Sequence, residues 1–130
     1  MSPKSAREAV REFIAATQRS VSCVTNSIVE LPPDEARTGS LRGFTAGVRN
    51  PARLRGAVPL LLQARLEYRV LESSVRSGLW EVHTVAYLYS LRDPQDQEVL
   101  AYHWQPSGKV TFPHLHLGPG AHIGRRDLAK

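Results

Sequence analysis

The chain has 130 residues, 42% hydrophobic and 22% charged, which suits one domain with a real core and excludes a mainly disordered polymer. Its formal charge is +5, a basic balance that can attract anionic partners. No run approaches the ~18–20 apolar residues of a membrane-spanning helix, and Arg7, Glu8, Arg11 and Glu12 break any signal-peptide core.

The first element is a helix. Val10, Phe13, Ile14, Thr17, Val21 and Val24 recur at three- and four-residue spacing and make one apolar stripe. Ser5 followed by Glu8 forms a capping box at its start. The helical segment covers 1–30, weakened by β-branched residues from Val21 to Val29 and stopped by Pro32-Pro33. Cys23 lies in this apolar stretch and is expected to be buried and inert. A lone cysteine makes neither an internal disulfide nor a zinc knuckle, and a reducing, cytoplasmic location is expected.

Residues 31–40 read as a loop, and 41–48 as an irregular, glycine-containing strand. Asn50-Pro51 marks a turn, or the cap of a short helix through Arg55. From Arg37 to Arg76 there are eight arginines against Glu67 and Glu72, a local charge of +6, whereas the rest of the chain sums to −1. Such a segment attracts phosphate backbones, the plainer reading being a solvated surface.

From residue 60 the period changes to two. Leu66, Tyr68 and Val70 alternate with Arg65, Glu67 and Arg69, giving a half-buried strand. Residues 79–91 and 98–105 are further strands, separated by turns at Ser77-Gly78 and Asp93–Asp96. Pro106-Ser107-Gly108 is a tight turn into a last strand over 110–117. The expected architecture is a single α+β domain: an N-terminal helix packed on an antiparallel meander of about four strands over 41–118, with 119–130 as a tail.

"YHWQPSGKVTFPHLHLG" places His103, His114 and His116 within one hairpin. Residues two apart in a strand share a face, so His114 and His116 point the same way. A two-residue Ser107-Gly108 turn opposes His103 to Phe112 and His114 to Ala101. All three imidazoles then lie on one side, and a one-residue slip would remove His103. Three neutral imidazoles can hold zinc or another divalent metal with a position open. Two can instead act as general base and acid in phosphodiester cleavage. The plainer reading makes them polar edge residues. Period-two alternation sets His83 on the face of Glu81, Val85, Tyr87 and Tyr89; His122 sits in the glycine-rich tail. Tyr87, Tyr89, Tyr102 and Trp104 read as core before they read as a stacking platform.

"HLHLG" fails as a histidine triad because Gly118 stands at the third position, and the glutamate of a cupin metal motif is missing. There is no phosphate-cradling glycine loop and no Gly-x-Ser-x-Gly elbow. Residues 80–118, through "YHWQP" and "PHLHL", resemble small, mostly uncharacterised bacterial proteins with a "YHWHP…PHLHL" signature. More distantly they are similar to TumE-type toxins of toxin–antitoxin pairs. The resemblance implies a β-meander ending in a histidine-rich strand, followed in the relatives by a further helix; Gln105 departs from the signature's second histidine.

Three functions are carried forward. The first is a basic module of toxin–antitoxin or defence type that binds or cleaves nucleic acid, with Arg53, Arg55, Arg65 and Arg69 on phosphates and His103, His114 and His116 doing the chemistry. The second is an interaction module or homo-oligomer joined through a sheet edge. The third is a metal-binding protein built on the same three histidines.

Overall fold

The computed structural model describes residues 3–123 and 126–127, with side chains through Ala121. The first helix, α1, covers Ala6–Ser22. The Ser5 side chain accepts the Glu8 amide at 3.1 Å, and Glu8 returns a carboxylate to the Lys4 amide at 3.0 Å. The box therefore closes one residue earlier than the sequence pattern gives. The helix stops well short of residue 30. Arg55 reaches back to donate to the Ser22 and Thr25 carbonyls and to Asn26, so a side chain satisfies the helix's free acceptors. Gln18 then fixes the following chain, donating to the Ser27 carbonyl and accepting from the Val29 amide. Beyond this point the helical period no longer applies. Val24 is exposed, and so is Cys23, contrary to its expected burial. Cys23 is the C-cap residue and has left the apolar stripe.

The α+β class holds, but the main sheet has six strands rather than about four. They are β1 (Arg42–Ala46), β2 (Ala52–Arg53), β3 (Leu61–Glu72), β4 (Trp80–Arg92), β5 (Glu98–Trp104) and β6 (His114–Leu117). The order is β1-β3-β4-β5-β6, every pair antiparallel, with β2 also on the outer side of β3. The twelve residues of β3 are long enough for both short strands to share its edge. Thus Ala52 and Arg53 form a ladder with Leu62 and Leu61 where a turn or short helix was expected. A separate two-stranded ladder joins β7 (His122–Ile123) to β8 (Arg126–Asp127), within the stretch expected as a tail. The side chain of His122 lies outside the described residues.

One face of the sheet carries the helix. Val10 of α1 and Val29 pack with Phe44, Leu66, Tyr68 and Val70. Phe13 meets Phe44 edge-on at 5.9 Å and Tyr68 at 6.1 Å between centroids. Tyr68 is 0% exposed, yet its hydroxyl is satisfied by the Glu35 carbonyl at 2.7 Å. Among the described residues, no helix covers the opposite face.

Two irregularities decide which side chains share that open face. In the β3–β4 ladder, Glu67 pairs with Ala86 but Tyr68 pairs with Thr84, leaving Val85 as an extra residue. Period-two reading through such a bulge inverts everything beyond it. Tyr87 and Tyr89 therefore lie on the helix side, opposite to His83, and Leu88 and Ser90 lie on His83's side. This corrects the face assigned to His83. The second irregularity is at Val99 in β5, between the pairs Leu91–Leu100 and Arg92–Glu98.

Candidate functional site

The β5–β6 hairpin brings the three histidines together. His103 pairs with His114, and Ala101 with His116. The register thus differs by two residues from the one a Ser107-Gly108 turn would give. The connection is longer because Pro106 and Pro113 lack ladder donors and β6 begins only at His114. The loop is held by the Gly108 amide on the Gln105 carbonyl at 2.9 Å and by Trp104 Nε1 on the Thr111 carbonyl at 3.1 Å. A shift of two preserves the face. All three imidazoles emerge on the open side, in two neighbouring rows.

Their rings converge. The candidate ligand atoms of His103, His114 and His116 lie within 4.8 Å of one another. His103 Nε2 and His116 Nε2 are 2.8 Å apart, so one ring donates its hydrogen to the other. His114 Nδ1 is 3.1 Å from the Phe112 carbonyl, which can only accept. In the neutral ring that contact sets the hydrogen on Nδ1 and presents Nε2 as the lone-pair nitrogen, the tautomer for ligation through Nε2. Four-coordinate zinc, with bonds of about 2.0–2.1 Å, sets its donors roughly 3.3 Å apart. The observed spread brackets that value. Desolvation pushes the His103 pKa below the ordinary imidazole value, and His114 and His116 push it the same way, against an opposing pull from Glu98. The ring therefore tends toward the neutral form, which is the ligating one.

The arginines divide. Arg65, Leu88, His103 and His114 stand directly opposite one another across β3, β4, β5 and β6. Arg65 and His103 line the same shallow hollow of about 200 Å3, with Leu88 and Gln105 beside them. The Arg65 guanidinium leans on Glu67 at 3.7 Å and remains mostly in solvent. Arg69 is four residues along β3 on the same face and donates to the Gly39 carbonyl at 3.0 Å. Arg53 pairs with Leu61 and so joins the same face at its far edge. Arg55 does not join them: its donors are engaged at the end of α1.

His83 stands apart from the cluster, cross-strand from Arg69, with Nε2 at 3.0 Å from Glu81. Sequence reading overlooked Glu98. Period-two alternation turned it away from the histidines, and only the bulge at Val99 brings it round. Tyr87, Tyr89, Tyr102 and Trp104 form one aromatic group on the helix side, with Tyr87 within 5.2–5.8 Å of each other ring. Burial raises the Tyr87 and Tyr89 pKa values, and contact with Tyr102 adds to the shift at Tyr87. Beyond α1 this side leaves Tyr102, Leu115 and Leu117 exposed next to β6, the last strand of the sheet. Among the described residues no helix is long and apolar enough to cross a membrane.

Comparison of the chain with protein-family models, with curated proteins and with solved structures finds no match to any of them.

Proposed function

We propose that His103, His114 and His116 bind a divalent metal ion, that the ion keeps positions open to solvent, and that it activates water against an extended anionic substrate. The convergence of three imidazoles on one hairpin carries the reading. Three nitrogen donors suit zinc, and a zinc-bound water loses its proton near neutral pH. The hollow beside His103, about 200 Å3, is smaller than the roughly 300–1,000 Å3 of an enclosing small-molecule site. An open face instead suits a polymer lying over the sheet. Arg65 and Arg69 stand on that face four residues apart along β3, about 13 Å at ~3.3 Å per residue, and Arg53 joins them from β2 opposite Leu61. A nucleic-acid backbone is the polymer whose charge matches them, as in a module of toxin–antitoxin or defence type.

The deciding experiment is metal analysis of tag-free protein after zinc loading and desalting. One zinc per chain is expected, and none for H114A. Equal, substoichiometric metal in both would overturn the reading.

A second reading is favoured by Leu115 and Leu117, exposed beside Tyr102 on an edge strand. It makes β6 the joint to a partner chain or second copy. Light scattering of a monomer at high concentration, unchanged by L115K, would count against self-association.

A further inference from the structure

The histidine face carries a carboxylate that the sequence pattern assigns to the other side. The strand runs Glu98, Val99, Leu100, Ala101, Tyr102, His103, and alternation alone groups Val99 with His103. The bulge makes Val99 the extra residue, and Glu98 becomes the partner of Arg92. The orientation is fixed by a contact: Ser90 Oγ donates to Glu98 Oε1 at 3.2 Å. Ser90 is 4% exposed and pairs with Ala101, which in turn pairs with His116. Glu98 thus sits in the row of the sheet next to His116.

Three further observations set this carboxylate apart. Its cross-strand neighbour Arg92 does not neutralise it, because Arg92 binds Asp96 through Nε at 2.7 Å and through Nη2 to the Asp96 carbonyl at 2.8 Å. Among the described residues its side chain has one hydrogen-bond donor, the neutral Ser90 hydroxyl. The turn that follows "HLHL" also clasps its backbone. The Gly118 amide donates to Val99, and the Gly120 amide to Glu98 at 2.8 Å. A Cβ at residue 118 would lie 2.2 Å from the Glu98 carbonyl oxygen, so only glycine lets the chain pass. His116 and Glu98 are therefore held in fixed relation by two residues of backbone.

Resting on the metal reading above, we infer that Glu98 is the outer-sphere carboxylate of the three-histidine centre. Three neutral imidazoles leave a dication's charge uncompensated. Glu98 supplies one negative charge on the same face and orients the groups around the ion. It is a positioning residue, acting through the ligands and the bound water.

The test compares tag-free wild type, E98Q, S90A, E67Q and H114A by zinc competition against a chromophoric chelator and by the visible spectrum of the cobalt(II) forms. Glutamine keeps the shape and can still accept from Ser90, so a purely structural role predicts no change. The inference expects a roughly 10- to 100-fold weaker zinc affinity for E98Q, with an altered cobalt band. It expects a smaller loss for S90A, which frees the carboxylate without removing it. E67Q, beside Arg65, should bind as wild type. Should E98Q lower the unfolding midpoint of the apo protein, S90A reads the same contact with the charge intact. Zinc binding by E98Q and S90A as tight as wild type, with unchanged cobalt spectra, overturns this inference and leaves the metal reading standing. A wild type that binds no zinc overturns both.

Discussion

The two faces of the sheet are made by the same strands and have opposite physical characters. On the helix side, Phe44, Leu66, Tyr68 and Val70 are buried against Val10 and Val29. On the other side, Arg65, Leu88, His103 and His116 stand in or near solvent, and among the described residues of that face Ser90 and Ala101 are deeply enclosed. Burial of apolar area stabilises the first face by roughly 25 cal/mol per Å2. The second gains little from its contacts and is free to hold groups that repel or compete for protons. Stability and chemistry are thereby separated by one strand thickness. Changes on one face should move folding, and changes on the other should move binding.

The strongest break of this comparison comes from the helix side. Y68A removes a side chain that is 0% exposed and leaves the Glu35 carbonyl without its donor. We expect a loss of about 3–5 kcal/mol in chemical denaturation, because a cavity remains where the ring was. Zinc affinity of the fraction still folded should be unchanged. H114A should do the reverse, with apo stability within about 0.5 kcal/mol of wild type and zinc binding abolished. Destabilisation of several kcal/mol in H114A would mean that the open face also carries the fold.

Zinc itself sharpens the contrast. A ligand that binds only the native chain stabilises by about 2.7 kcal/mol at a hundred times its dissociation constant. Wild type should show this rise in unfolding free energy and H114A should not. Y68A should recover part of its lost stability when zinc is added. An equal rise in all three would point to nonspecific metal binding.

G118A tests the joint between the two faces. The added methyl would meet the Glu98 carbonyl at 2.2 Å, so the turn must shift. A cost of roughly 1–3 kcal/mol is expected from the overpacking, together with weaker zinc binding, since His116 lies two residues away. A fully stable variant with weaker zinc binding would place the whole effect on the site.

These sites differ in how much the sequence reveals of them. The helix start at Ser5–Glu8, the long β3–β4 hairpin and the shared face of the three histidines follow from capping chemistry and strand period. They depend on local residues and survive a two-residue error in register. What could not be read is what depends on a single extra residue. Nothing in "HTVAY" marks Val85 as a bulge, yet it moves Tyr87 and Tyr89 to the other side of the sheet. Nothing in "EVLAY" marks Val99, and so Glu98 was overlooked. Arg55 looks like any other arginine of a basic segment; only tertiary contact shows that it ends a helix. Ala52 and Arg53 are too short a strand for any pattern to reveal. Composition supports a charged segment, but three-dimensional pairing decides which of its guanidinium groups face the histidines.

Proton competition gives a smaller effect with a definite sign. The His103 pKa in the folded chain is lowered, first by desolvation and then by His114 and His116. The unfolded chain, with an imidazole near 6.5, therefore takes up the proton first. Apo stability should be fully present above that value and decline as pH falls below it. In a proton NMR titration of the apo protein, His103 should titrate below 6.5 and move upward in H116A, which removes one lowering neighbour. A wild-type midpoint above 6.5 would show that Glu98 outweighs desolvation and both neighbouring histidines.

The smallest expected effect concerns the arginines, and it tests whether the open face reads a polyanion at all. Each phosphate neutralised on a single strand contributes about −0.7 to the slope of log affinity against log salt. Arg53, Arg65 and Arg69, without Arg92 of the same face, whose guanidinium is held by Asp96, predict a slope of roughly −2 for a fluorescent single-stranded oligonucleotide. R65Q should reduce the steepness by about 0.7, and a change at Arg55 should leave the slope alone, because its guanidinium is held by Ser22 and Asn26. The pair R65Q and R55Q thus separates total charge from placement: both lower the net charge by one, but only Arg65 shares a hollow with His103. If the two variants lose slope equally, the attraction belongs to the chain's overall +5 and not to the histidine face.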